Sequence, residues 1–366
     1  MPRSNGVEIH VNLKALVILA AVAVPLLLAD VFFVLDQSRA ALDSTVGDHL
    51  RAVAEVTAAQ VSRFVHSKIV EAGVLAAEPE LRRAAEAANQ GYRGLGEEAI
   101  RQKLEEMDRN WESPKASVAA AQLLASPASA YLRDYLTINL GFKRLALTDA
   151  QGAVVAASHK PIDYYQADED WWRAAFRDGA GAIHVGDVRY DPVSRTHFVS
   201  IDLPVLNSGR NQAIGVLRAI IDVGEIRSIT TQVQLGAKGE ALLVKGDGTI
   251  ISSPSVTLVM KQKAEEMEVV ASVAAEQSSG YLTAAMKGGA HKFIAFADPG
   301  LSQAFPELNW KVLVTQDLQV ARAPIARVTN RAMATVFGGL IVFGLAAAYF
   351  SLHRPQKFTD IEETGK

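Results

Sequence analysis

The side chains with most to offer chemically lie between positions 160 and 225. In Asp168-Glu-Asp-Trp-Trp-Arg-Ala-Ala-Phe176, Glu169 stands two positions ahead of paired indoles, Trp171 and Trp172. Arg189 and Asp191 follow in Gly186-Asp-Val-Arg-Tyr-Asp191, and Arg218 and Asp222 in Ile214-Gly-Val-Leu-Arg-Ala-Ile-Ile-Asp222. Glu169 and Asp191 together would favour a cationic ligand such as an amine, with an indole face adding cation–π attraction. Arg189 and Arg218 would instead hold an anion, a carboxylate or a phosphate, through charge-assisted hydrogen bonds. Plainer readings stand beside these. The indoles can simply fill a core. In a strand or extended loop, neighbours face opposite ways, so one would floor a pocket while the other packs inside. Glu169 can point into solvent. Arg218 interrupts a strongly apolar strand, and an internal salt bridge to Asp202 or Asp191 would satisfy it as well as a ligand. His197 also sits on a strand, with no second histidine or carboxylate at ligand spacing, so no metal is expected.

Composition narrows the classes further. At 366 residues the chain is long enough for two domains, and its net charge of -3 offers no basic surface for nucleic acid. The absence of cysteine removes thiol catalysis, cysteine–zinc sites and disulfides together. The sequence shows no phosphate-binding glycine loop, nucleophile elbow or HExxH pair, so neither an enzyme nor a cofactor is expected.

The elements that must position these residues begin with two apolar runs. Residues 15–35 carry one charge, Asp30, and residues 332–352 carry none; each is long enough to cross a bilayer as a helix. The first run is too long for a cleaved signal peptide and reads as an anchor. Basic residues at Arg3, Lys14, Arg354 and Lys357 place both tails, 1–14 and 353–366, in the cytoplasm. The expectation is therefore a two-pass bacterial inner-membrane protein with a large periplasmic region. Ala334/Gly338 and Gly344/Ala348 have the spacing of a close helix contact, which suits a homodimer.

Between the runs, helical spacing from Leu42 to Ile69 predicts a stalk, with helices to follow near 97–111 and 118–136. From Gly141 the pattern turns to short β-branched runs, beginning with a hairpin about Asp149-Ala-Gln-Gly152. Strands are predicted at 182–188, 197–203 and 214–221, then a helix from Val223. The arrangement recurs: Leu147-Thr-Asp-Ala-Gln-Gly-Ala-Val-Val155 is mirrored by Leu243-Val-Lys-Gly-Asp-Gly-Thr-Ile-Ile251, ninety-six positions on. Val216-Leu217 falls on Val312-Leu313 at that offset, and His197–Ile201 on Lys292–Phe296 at one less. Two copies of one α+β module follow. The expected layout is a helical segment 37–138, a membrane-distal module 139–235, a membrane-proximal module 236–318 and a connecting helix 319–331.

A long helix and two tandem modules between membrane spans resemble the double Cache sensor domains of bacterial chemoreceptors and sensor kinases. The order of motifs carries the resemblance: the aromatic pair, Gly186–Asp191, Ile201-Asp-Leu-Pro-Val205, Ile214–Asp222, Gly246–Ile251 and Trp310-Lys-Val-Leu-Val314. It implies antiparallel, PAS-like modules and a small ligand in the distal one. The amino-acid-binding members use a tyrosine, an arginine two positions before the aromatic pair, and later aspartates. Tyr164 matches the tyrosine and Asp191 one aspartate; the other falls near Ile220, with Asp222 two residues away. The arginine position holds Glu169, which cannot clamp a carboxylate in bidentate fashion. The resemblance implies a periplasmic small-molecule sensor passing its signal through the membrane helices to a separate kinase, cyclase or chemoreceptor output protein. The fourteen residues after the second run are too few for an output domain, so a truncated receptor, or a scaffold that senses nothing, are the competing expectations.

Overall fold

The computed structural model describes residues 13–191, 195–233, 235, 238–256 and 260–352. It divides into two compact units, bounded as Met1–Val46 with Leu318–Lys366 and as Gly47–Asp317.

The first helix, α1 (Leu13–Ala76), carries Pro25 inside it and belongs to both units. Leu50, Ala54, Val61, Val65, Ile69, Ala72 and Leu75 recur at three, four or seven residues and are buried, the stripe by which a helix packs on a core. It stops where Pro79 opens α2 (Pro79–Gln90), because proline lacks the N–H that a continuing helix needs. Next come α3 (Glu97–Arg109), α4 (Pro114–Ala125) and α5 (Pro127–Ile138). One helix was expected where α4 and α5 stand. Pro127 at the first turn and Ser126, whose hydroxyl accepts the Ser129 N–H at 3.2 Å, start a new one.

The first sheet is built from β1 (Phe142–Thr148), β2 (Val154–Ala157), a helix α6 (Asp170–Phe176), β3 (His184–Val185), β4 (Arg189–Asp191), β5 (Thr196–Leu206) and β6 (Ala213–Asp222). Its order is β2-β1-β6-β5-β3, with β4 also pairing with β5, and every pairing is antiparallel. Helix α7 (Val223–Thr231) leads to the second sheet: β7 (Gly239–Lys245), β8 (Ile250–Ser252), a helix α8 (Glu265–Glu276), β9 (Ser279–Ala285), β10 (His291–Ala297) and β11 (Trp310–Asp317). Its order, β8-β7-β11-β10-β9, repeats the first. Even the hairpin irregularity recurs, between Leu147 and Thr148 in one sheet and Leu243 and Val244 in the other. The fold is α+β: a long helix, then two antiparallel modules.

Register refines the repeat. Leu147 pairs with Leu217 and Leu243 with Val312, so the last strands correspond at an offset of ninety-five rather than ninety-six. Asp202, opposite Arg218, corresponds to Phe296, opposite Leu313. The strand expected over 182–188 is only the two residues of β3. Gly181, at φ +73°, turns the chain immediately before it.

The chain ends its described course in α9 (Leu318–Leu352), where Arg322 grips Asp43 of α1 through Nε at 2.9 Å and through a second, shorter bond from Nη2. Both apolar runs, 15–35 and 332–352, are helical. Among the described residues no helix is long and apolar enough to cross a membrane. The side chains of 15–21, 23, 27, 347 and 350–352 lie outside the described residues, as do the predicted tails but for residues 13 and 14.

Candidate functional site

On the face of the first sheet that carries α6, the chain forms a half-open cavity of about 200 Å³. Alternation along the strands decides what enters it. Ala146 and Arg144 come from β1, Arg218 and Ile220 from β6, and Asp191 and Phe198 from β4 and β5. The segment between β2 and α6 closes the cavity with His159, Ile162, Asp163 and Gln166, and α6 contributes Trp171.

Of the eight residues singled out in the sequence, three line this cavity: Trp171, Asp191 and Arg218. The other five stand outside it. Tyr164 packs against Trp111 with ring centroids 5.1 Å apart, and its N–H donates to Asp108 Oδ1 at 2.8 Å. Burial, with the charge of Asp149 adding to it, pushes its phenol up to about 12. Glu169 occupies the N-cap position of α6 without capping it through its side chain, although its charge reaches Arg218. Arg189 is exposed on β4. Asp222 caps α7, Oδ1 accepting the Gly224 N–H at 2.7 Å.

The indole pair lies on a helix and not in a strand or extended loop, so the two rings diverge by the helical step of about 100°. Trp172 is the core residue. It stacks on Phe176, one turn on, at 4.5 Å, and its Nε1–H donates to Thr148 Oγ1 at 2.8 Å. Trp171 faces the cavity, with the Arg218 guanidinium 4.1 Å above its ring centroid.

The charges now sort themselves. Asp191 is taken by Arg144, whose Nη1–H donates to Oδ2 at 2.9 Å. Asp163 is the other carboxylate at the wall; burial raises its pKa, the Gln166 amide opposes this by donating to it, and the nearby charges of Asp108 and Glu169 raise it further. Glu169 and Asp191 do not converge, so the cation site is not assembled. The donors tell a different story. Trp171 Nε1–H and Arg218 Nε–H are both buried and meet no hydrogen-bond acceptor among the described residues. Burial lowers the pKa of Arg218, opposed by Asp202, whose Oδ1 lies 3.6 Å from Nε, short of a bond. Of the two internal partners expected for Arg218, the sheet supplies Asp202. Among the described residues Asp202 Oδ1 is likewise buried without a hydrogen-bond donor, so two donors and one acceptor go unpaired about Arg218.

Arg144, Asp163, Gln166 and Phe198 were missed in the sequence. Arg144 had a usable signal: it shares the period-two face of Ala146 and Thr148 at the start of the hairpin strand. His197 packs on Tyr190, ring centroids 5.1 Å apart and the planes tilted by 54°. Among the described residues no cluster of three or more histidines and carboxylates is placed to hold a metal.

The fold is thus a repeated α+β module with a half-open cavity on one face of its first sheet. The chain belongs to the Cache domain family, whose double-Cache model matches residues 38–325. The methyl-accepting chemotaxis protein PctB of Pseudomonas aeruginosa is 24% identical over 221 residues, 60% of this chain and 33% of that protein. The chain thus spans about a third of this curated relative's length. Among solved structures, the ligand-binding domain of PctB from Pseudomonas aeruginosa PAO1 in complex with L-Arg is 20% identical, with a TM-score of 0.44 over 76% of this chain and 98% of that one. The sensory domain of the Campylobacter jejuni chemoreceptor Tlp3 is 12% identical, with a TM-score of 0.49 over 78% of this chain and 98% of that one.

Proposed function

We propose that the chain is the sensing part of a membrane-anchored signalling protein, and that the first sheet's cavity takes a small carboxylate with a compact apolar body. The pair of buried donors without acceptors, Trp171 Nε1–H and Arg218 Nε–H, carries this reading. The rest of the wall, from Leu145, Val154, Ile162 and Ile220, is apolar and suits the body of such a molecule. A cavity of about 200 Å³ favours few heavy atoms. In this reading the Cache region lies in the periplasm and the runs 15–35 and 332–352 cross the inner membrane, for which their length and apolarity in the sequence are the support. A ligand acts by favouring one of two arrangements of the domain. The change then passes along α1 and α9 to a kinase, cyclase or chemoreceptor output, with a homodimer as the working assembly.

The test is a thermal-shift and calorimetric screen of the full chain in detergent micelles against small carboxylates and against amines lacking a carboxylate. Carboxylates are expected to bind. Arg218→Gln, which removes a charge-assisted hydrogen bond worth about 1.5–3 kcal/mol, should weaken them by roughly 10- to 150-fold. Binding of amines alone, or carboxylate binding indifferent to Arg218→Gln, would refute the reading.

A further inference from the structure

Arg218 is the first member of a polar row crossing the first sheet. It pairs in register with Asp202 on β5, and Asp202 with His184 on β3, so the three side chains stand on one face. Asp202 is fully buried. Its Oδ2 lies 2.9 Å from His184 Nδ1 and accepts the Ser200 hydroxyl at 3.0 Å. The other ring nitrogen, His184 Nε2, lies 3.2 Å from Glu307 Oε1, in the segment leading into β11 of the second sheet. Glu307 Oε2 accepts the Asp187 N–H at 3.1 Å, and Asp187 in turn accepts from the Trp310 indole at 3.0 Å and pairs with Lys245 at 2.6 Å. The row thus leaves the cavity and ends on Trp310, the first residue of β11, and on Lys245 of β7.

The molecule contains its own comparison. At the corresponding positions of the second module, Leu313 stands for Arg218, Phe296 for Asp202 and Gly280 for His184. The second sheet fills this row with a buried phenylalanine, and a Cβ on Gly280 would approach its ring to 2.9 Å. The fold therefore does not need a polar row here. Buried ion pairs are weak contributors to stability next to apolar packing, so the charges in the first module ask for another explanation.

An imidazole flanked by two carboxylates can satisfy both only as the imidazolium, because the neutral ring has one N–H and would set a lone pair against the other acid. Asp202 on β5, Glu307 before β11 and Arg218 on β6 belong to the row, Arg189 on β4 acts on Glu307 and on Arg218, and on α6 Asp170 pairs with Arg173 at 2.5 Å. Burial opposes the charge on His184, yet Asp202 and Glu307 outweigh it and leave the net shift upward.

We propose that Arg218, Asp202, His184 and Glu307 form a relay that reports occupancy of the cavity to β11, with a protonated His184 as the bridging cation. Asp202 serves two cations, Arg218 and His184. An anion in the cavity draws the guanidinium to itself, leaves Asp202 to His184, and so tightens the imidazolium and its contact with Glu307. By linkage the occupant and the proton assist each other, so anion binding near the midpoint of His184 takes up protons. The proposal rests on the cavity being the ligand site.

The experiment needs no ligand, since Arg218→Gln imitates withdrawal of the guanidinium. The full chain, labelled at its histidines and held in micelles, is titrated by NMR, with the His184 signal identified by its loss in His184→Gln. His184 is expected to titrate above its ordinary value of about 6.5. Glu307→Gln should move the midpoint down and Arg218→Gln up, each by about half a unit or more. Hydrogen exchange at the start of β11 should slow about threefold in Arg218→Gln. That slowing should vanish in the Arg218→Gln, His184→Gln double variant. A midpoint at or below 6.5, or one that Glu307→Gln leaves in place, overturns the relay; Glu307 is half exposed, so its variant folds. So does an unchanged β11 in Arg218→Gln. A failed carboxylate screen with these shifts intact would sink the ligand reading alone, and the converse would sink the relay alone.

Discussion

Replacing Arg218 with the leucine that its counterpart position already holds isolates what the buried pair contributes. Asp202 is fully buried, and Arg218→Leu removes the guanidinium beside it without touching Ser200 or His184. Stripping one partner from a buried pair costs about 3–5 kcal/mol. The Arg218–Asp202 separation of 3.6 Å is loose and Asp202 keeps two other contacts, so the lower end, about 3 kcal/mol, is expected. For a unit of this size that corresponds to a fall in Tm of about 6–12 °C. The double variant Arg218→Leu, Asp202→Leu copies the apolar character of Leu313 and Phe296 and should lie within about 1 kcal/mol of wild type. The assay is thermal unfolding of the full chain in micelles, followed by far-ultraviolet circular dichroism on wild type, both single variants and the double. A double variant as unstable as the sum of its singles would refute the reasoning, because the two charges would then be contributing independently.

Other outcomes follow from the same geometry. Trp172→Phe loses the 2.8 Å bond to Thr148 and should cost about 1–2 kcal/mol in chemical denaturation while leaving carboxylate affinity unchanged, whereas Trp171→Phe should do the reverse. Tyr92→Phe removes the hydroxyl that donates to Asp149 Oδ2 at 2.7 Å and should cost about 1.5–3 kcal/mol at pH 7, measured by urea titration. His184, raised in the folded state, contributes stability that is complete below its unfolded value of about 6.5 and fades as the pH climbs through the folded value. Tm measured across pH 6 to 8 should therefore fall, and Glu307→Gln should flatten that slope.

Much of the fold could be read in the sequence because the repeat is written in turn chemistry. Asp149-Ala-Gln-Gly152 and Gly246-Asp-Gly each close a hairpin, and turn residues resist the ambiguity of apolar strands. What escaped were the short pieces. Helix α6 has seven residues, two helical turns, too few for a 3.6-residue period to show against a strand, and the indole pair was misassigned accordingly. Strand β9, with one of its seven residues buried, carries little apolar signal. The cavity was partly legible. Arg218 announced itself as a charge on an apolar strand, and Asp202 was named among its partners. Arg144 hid because its neighbour Lys143 makes the start of β1 look like an ordinary solvated strand end. Tyr164 and Asp222 sit within a few residues of the cavity along the chain and yet turn away, a distinction that depends on register across strands and not on spacing along one.

Gly47 lies against Tyr281 of β9 so closely that a Cβ there would fall 2.1 Å from the ring. A bare patch of helix backbone seated on an aromatic plate behaves as a key in a keyway. It admits α1 at one height and one rotational setting, and a shift of a single residue would bring Asp48 or Val46 onto the ring instead. Movement of the second sheet's edge thus cannot be lost as slippage at this point; it must be taken up by the rod or by the tyrosine.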